Sequence, residues 1–118
     1  ALTEAEKEIM DVIWGKSETT VRGVLETLQK HKEVAYTTVM TLMDILHKKG
    51  HLTRKLVGKA YVYSPAQDKK TFQSMYVGRV VEELFDQYGE IAVNQFAAEI
   101  DSLPDKLKQR LKEKLSNE

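Results

Sequence analysis

Apolar positions in the first 50 residues recur at helical intervals, and the interval then changes. Ala5, Ile9, Val12 and Ile13 follow Thr3-Glu4-Ala5-Glu6, a capping-box pattern in which Thr3 is the cap and Glu6 reaches back. This predicts a first helix that Gly15 ends. Ser17 to Thr20 is a short polar link with room for one small strand. Thr20 is placed to cap a second helix carrying Val21, Val24, Leu25 and Leu28 at i, i+3, i+4 and i+7. Lys30 to Glu33 reads as a charged turn. A third helix runs from about Ala35 to Gly50, with Val39, Leu42, Met43 and Leu46 on one face. At 100° per residue, Thr37, Thr41, Asp44 and Lys48 fall on the opposite face, flanked by Thr38, Met40 and Ile45.

After Gly50 the period shortens to two. Leu52, Arg54 and Leu56 alternate with Thr53, Lys55 and Val57; Gly58-Lys59 follows, and then Tyr61-Val62-Tyr63 before Pro65. This predicts a β-hairpin with glycine at its tip. Three helices followed by a hairpin form a winged helix-turn-helix. Ala66 to Lys70 reads as a linker. Beyond it a helix of about Thr71 to Tyr88 carries a broad apolar arc, ended by Gly89. A second spans about Glu90 to Ile100. A third is expected to be capped by Ser102, with Pro104 in its first turn and Leu103, Leu107, Leu111 and Leu115 as a narrow stripe. The expected fold is mainly α with a small β-hairpin: a winged-helix DNA-binding domain over residues 1–70 and a helical dimerisation domain over 71–118.

The chain has 118 residues and no cysteine, which excludes disulfide frameworks and thiolate metal sites and fits a reducing cytoplasm. No apolar run approaches the roughly 18 residues of a membrane span. Formal net charge is zero, but the halves differ: residues 1–70 hold 12 basic and 9 acidic residues, and residues 71–118 hold 6 and 9. No acid lies between Asp44 and Asp68, a stretch with Lys48, Lys49, Arg54, Lys55, Lys59, His47 and His51. Clustered charge of one sign is the footprint of a polyanion site, or simply a solvated face.

Thr37, Thr38 and Thr41 choose between those readings. Threonine is a poor helix former, yet three stand near the start of one short helix. Its hydroxyl and methyl fit base edges and the thymine methyl in a major groove. Free N–H groups at a helix start attract phosphate. Tyr36 is placed to bond a phosphate, and Lys48, Lys49, Arg54, Lys55 and Lys59 would add affinity independent of sequence. No arginine or lysine lies among Tyr36 to Met43, so T-containing steps are expected rather than G-runs. His47 and His51 are four apart, but Gly50 interrupts their helical spacing; free surface histidines are expected and no metal site. No nucleophile–base pair or phosphate loop is present, so no catalytic residues and no cofactor are assigned. The leucine stripe, with Phe85 and Phe96, lies in a half small enough to need a second subunit.

The phrases LTEAEKEIMDVIW, AYTTVMTLMDILHKKG and GKAYVYSP resemble the BlaI/MecI family of transcriptional repressors, over nearly the whole chain. The resemblance implies a homodimer with an N-terminal winged helix and C-terminal helical dimerisation part. It implies binding to palindromic double-stranded operator DNA and control of β-lactam resistance or related stress genes. It places base reading on Thr37, Thr38, Met40 and Thr41. Some members have basic residues where Thr37 and Met40 stand, which implies a different operator here. Copper-responsive relatives use C-terminal cysteines, which this chain lacks. In antibiotic-responsive members a membrane sensor-protease triggers cleavage at an Asn-Phe bond. The text here is Val93-Asn94-Gln95-Phe96, so the implied cut falls between Gln95 and Phe96. Two other classes stay open: a winged-helix protein-interaction module that does not bind DNA, which salt-dependent retention on DNA would separate, and an enzyme with an unrecognised site.

Overall fold

The computed structural model describes residues 2–117. In chain order the elements are α1 (Glu4–Lys16), α2 (Val21–Leu28), α3 (Tyr36–Lys48), β1 (Leu52–Val57), β2 (Ala60–Pro65), α4 (Lys69–Tyr88), α5 (Glu90–Ile100) and α6 (Asp105–Ser116). The chain divides into two compact units between Tyr76 and Val77, a division that falls inside α4.

In the N-terminal unit the three helices close over one core. Ile9, Met10 and Ile13 of α1 meet Val24, Leu25 and Leu28 of α2, and Val39, Met43 and Leu46 of α3, with Leu52 and Tyr63 of the hairpin beneath them. Burying each such side chain contributes about 1.5–3 kcal/mol, so this cluster dominates the unit's stability. Thr3 and Glu6 form the expected capping box, and Thr20 caps α2 by accepting from the Gly23 N–H at 3.1 Å. A Cβ on Gly23 would meet the Thr19 hydroxyl, which would have to rotate away from its bond to the Thr20 carbonyl.

The hairpin β1-β2 is antiparallel, with Leu52 opposite Pro65, Arg54 opposite Tyr63 and Lys55 opposite Val62. Gly58 at its tip has φ +64°, a conformation that favours glycine. The link before α2 adds the small extended contact that its polar sequence left room for: Thr19 bridges to Tyr63, each N–H donating to the other's carbonyl at 2.9 and 2.7 Å.

Several boundaries differ from expectation. α1 does not end at Gly15: the Ser17 N–H bonds the Ile13 carbonyl at 2.9 Å, and Ser17 takes the positive φ of 69°. The linker is shorter, because Asp68 caps α4 by accepting from the Thr71 N–H at 2.7 Å, and the helix begins at Lys69. Ser102 does not cap the last helix. Its N–H bonds the Glu99 carbonyl at 3.0 Å, and Pro104, with ψ 144°, stands at the cap position of α6 instead. Leu56 shares a strand face with buried Leu52 but lies near the free tip of the hairpin and is exposed.

In the C-terminal unit, the remainder of α4 with α5 and α6 buries little. Ala92 is its one buried hydrophobic residue among those described. Phe85 and Phe96 pack with ring centroids 5.4 Å apart.

Candidate nucleic-acid interface

The outer face of α3 is where chemistry gathers. Val39, Met43 and Leu46 are buried and fix the helix's rotation, which leaves Thr37, Thr38, Met40 and Thr41 exposed on one side. Ala35 stands at the N-cap with no side-chain bond, and the first turn carries no acid. The orphan N–H groups there keep their partial positive charge for an outside acceptor. The ends of α3 are held in place: Val39 N–H bonds the Ala35 carbonyl at 3.2 Å, and at the far end Lys49 Nζ lies 2.9 Å from Glu6 Oε2. Glu6 also accepts from the Thr3 backbone N–H at 2.9 Å. The hydrogen bond from Thr3 and the Lys49 ammonium hold the Glu6 carboxyl below its ordinary pKa.

Tyr36, in the first turn of α3, is exposed, and the Arg22 guanidinium of α2 lies 5.4 Å from its ring centroid. Among the described residues no carboxylate lies within ion-pair distance of Arg22. The pair joins the first turns of both helices of the helix-turn-helix. The sequence patterns did not single out Arg22, because it lies outside the acid-free stretch, 14 residues before Tyr36.

The basic residues do not form one patch. Arg54 and Lys55 are neighbours on a strand and point to opposite faces. Arg54 is turned toward α3. Its Nη1 donates to Asp44 Oδ1 at 3.0 Å and to the Tyr63 hydroxyl at 3.2 Å, and its guanidinium lies 4.2 Å from the Tyr61 ring centroid. The Tyr63 hydroxyl bond and the Asp44 partner hold its pKa above the ordinary arginine value. Lys48 Nζ meets Asp44 Oδ2 at 3.0 Å. Lys55 and Lys59 are exposed on the hairpin. Asp44, counted only as part of α3's outer face, thus organises two of the cations assigned to phosphate.

The two histidines are not free surface groups. His51 packs edge-on against Phe72, with centroids 5.1 Å apart. His47 is half-buried, and its Nδ1 has no hydrogen-bond partner. Gly50, at φ +85°, turns the chain between them, so each ring packs separately. Among the described residues no three His, Asp or Glu side chains gather to hold a metal.

In the C-terminal unit an open apolar groove of about 780 Å³ is lined by Leu84, Phe85, Tyr88, Phe96, Leu103, Leu111 and Leu115, among others. Leu107, expected on the same stripe, is exposed outside that lining. The Gln95–Phe96 bond lies inside α5, and Gln95 Nε2 donates to Glu99 Oε1 at 2.8 Å, one turn on.

The profile of a family described as penicillinase repressor matches residues 2–117. The transcriptional regulator BlaI of Mycobacterium tuberculosis is 33% identical over 84 residues, 70% of this chain and 59% of that protein. The penicillinase repressor of Staphylococcus aureus is 35% identical over 63 residues, 53% of this chain and 50% of the relative. The matched segments thus span little more than half the length of these relatives. Among solved structures, the Bacillus licheniformis BlaI monomeric form in complex with the blaP half-operator superposes with a TM-score of 0.51 at 33% identity. That match covers 59% of this chain and 85% of the other.

Proposed function

Because the chain belongs to the penicillinase repressor family, we propose that it is a DNA-binding transcriptional repressor that reads an operator with α3. The observation that carries this is the outer face of that helix: Thr37, Thr38, Met40 and Thr41 exposed together behind an uncapped, acid-free first turn. The threonine hydroxyls and methyls suit T-containing steps, and Met40 adds apolar contact. Tyr36 with Arg22, and Lys55 with Lys59 on the wing, are the groups free to meet phosphates; Lys48 and Arg54 are held by Asp44. Support also comes from the solved relative, which was captured on a half-operator.

In the same reading the C-terminal groove is covered by a second copy, and the two α3 helices of a homodimer read the halves of a palindrome about one DNA turn apart. The regulated genes are those of β-lactam resistance or a related stress response, and the protein acts in the cytoplasm. Release by a sensor-protease system at Gln95–Phe96 would require α5 to unwind, since a helical peptide bond does not fit an extended protease cleft.

The test is to select bound fragments from sheared genomic DNA, then measure affinity for the selected site and for random duplex at one fixed salt concentration. Thr37→Ala, Thr38→Ala and Thr41→Ala should each lower the operator-to-random ratio, by up to about 1–3 kcal/mol, with random binding nearly unchanged. Alanine raises helix propensity, so folding is not at stake. Three variants that all keep the wild-type ratio would remove α3 as the reader.

A further inference from the structure

Asp44 is the one acid in α3, and it lies one turn beyond Met40 and Thr41 on the side of the helix assigned to DNA. A carboxylate there repels phosphate, so its presence needs a reason. One possible reason is base reading, since a carboxylate can accept from the cytosine amino group. A base would have to compete with two cations for that role, because Oδ1 already accepts from Arg54 at 3.0 Å and Oδ2 pairs with Lys48 at 3.0 Å. Arg54 is further enclosed by Tyr61 and Tyr63, and its side chain is only 22% exposed. One carboxylate therefore occupies two cations at the junction of helix and wing.

We propose that Asp44 is a positioning residue for selectivity: it withholds Lys48 and Arg54 from phosphates in general and fixes the wing against α3, keeping affinity for DNA of the wrong sequence low. The inference rests on the DNA-binding reading and deepens it. Sequence-independent affinity grows with each phosphate neutralised, at about 0.9 units of salt slope per contact. Pairing two cations with one carboxylate removes up to two such contacts from random binding, Arg54 more firmly than Lys48, whose side chain is 74% exposed, and leaves the threonine readout intact. The ordinary value of an aspartate is itself low, and Lys48 followed by Arg54 lowers that of Asp44 further, so the group is charged throughout the neutral range.

The experiment uses the full chain and a random duplex titrated between about 50 and 200 mM salt. Asp44→Asn keeps the shape and removes the charge. It should steepen the salt slope by about one to two units and raise random affinity roughly tenfold at low salt, lowering the operator-to-random ratio. Asp44→Glu keeps the charge and should restore a shallow slope. Lys48→Ala should leave the wild-type slope unchanged but lower the Asp44→Asn slope by about one unit. A residue that merely stabilised the wing would move the melting temperature and weaken all binding, without steepening the slope. An unchanged or shallower slope in Asp44→Asn overturns the proposal. So does a Lys48→Ala change that lowers the wild-type slope by a full unit, an arm that decides the matter even if the Asp44 variants do not fold. Wild-type protein that binds no duplex at any salt would overturn the DNA-binding reading, whereas failure of the slopes in a wild type that binds strikes Asp44 alone.

Discussion

Glu6 accepts from the Thr3 backbone at the start of α1 and from Lys49 at the end of α3, and at 2% exposure it does so out of water. Its folded pKa is lowered from 4.5, so its contribution is fully present above that value and lost as pH falls through the lower folded value. Glu6→Gln keeps an oxygen for the Thr3 N–H but gives up the ion pair. At pH 7 it should cost about 1 kcal/mol, measured by urea unfolding. Below pH 4.5 the wild type should lose stability more steeply than the variant, so the two curves converge; parallel curves would contradict the assignment. Half of this was legible in the sequence. Thr3 and Glu6 stand three apart and announce the box. Lys49 lies 43 residues away, and no local pattern links it to Glu6. The same limit hid the pairing of Asp44 with Arg54. Strand alternation placed Arg54 on the face of Leu52, but a charge count treats every cation in an acid-free stretch as equally free.

Among the elements, α4 departs most from its pattern. Its apolar arc reads as one face for one purpose, yet Phe72 packs 5.4 Å from Trp14 and 5.1 Å from His51, within the N-terminal unit. Trp14 Nε1 donates to the Gln67 carbonyl at 2.9 Å, and Lys69 pairs with Asp11 at 3.1 Å. The expected linker therefore belongs to the winged helix, together with the first two turns of α4. The sequence of Ala66 to Lys70 reads as a linker, yet Asp68 within it is the cap signal. A fragment of residues 1–76 should consequently be more stable than one ending at Pro65. Losing the Trp14 hydrogen bond and the Phe72 contacts should cost about 2 kcal/mol. That is roughly 8 °C or more in melting temperature for a domain of this size, read by calorimetry. Equal melting temperatures would show that residues 66–76 add nothing to the winged helix. The three helices and hairpin of the winged helix were readable because their apolar periods agree with their turn residues, whereas the ends of α1 and α6 depend on single backbone bonds that periodicity does not encode.

For the molecule as a whole, the two units are unequal in what they bury. The N-terminal unit has a closed core, while the C-terminal unit leaves Phe85, Phe96, Leu107 and Leu115 exposed. A helical unit with so little buried is marginal alone. We expect the full chain to sediment as a dimer at micromolar concentration and the 1–76 fragment as a monomer. Leu115 is 65% exposed, so Leu115→Asp should leave the subunit's helix content intact while shifting the full chain toward monomer. A variant that stays dimeric would place the interface elsewhere. The leucine stripe was visible in the sequence; which leucines line a groove was not, because Leu107 and Leu111 diverge only once α6 has settled on its neighbours. The clamp around Trp14 carries one more consequence. It is the chain's single tryptophan, so all indole fluorescence comes from the seam where α4 leaves the winged helix. Detachment of that seam would move the emission to the red while the far-ultraviolet helical signal persists. The protein thus contains its own optical reporter of whether that seam is closed, readable without any attached dye.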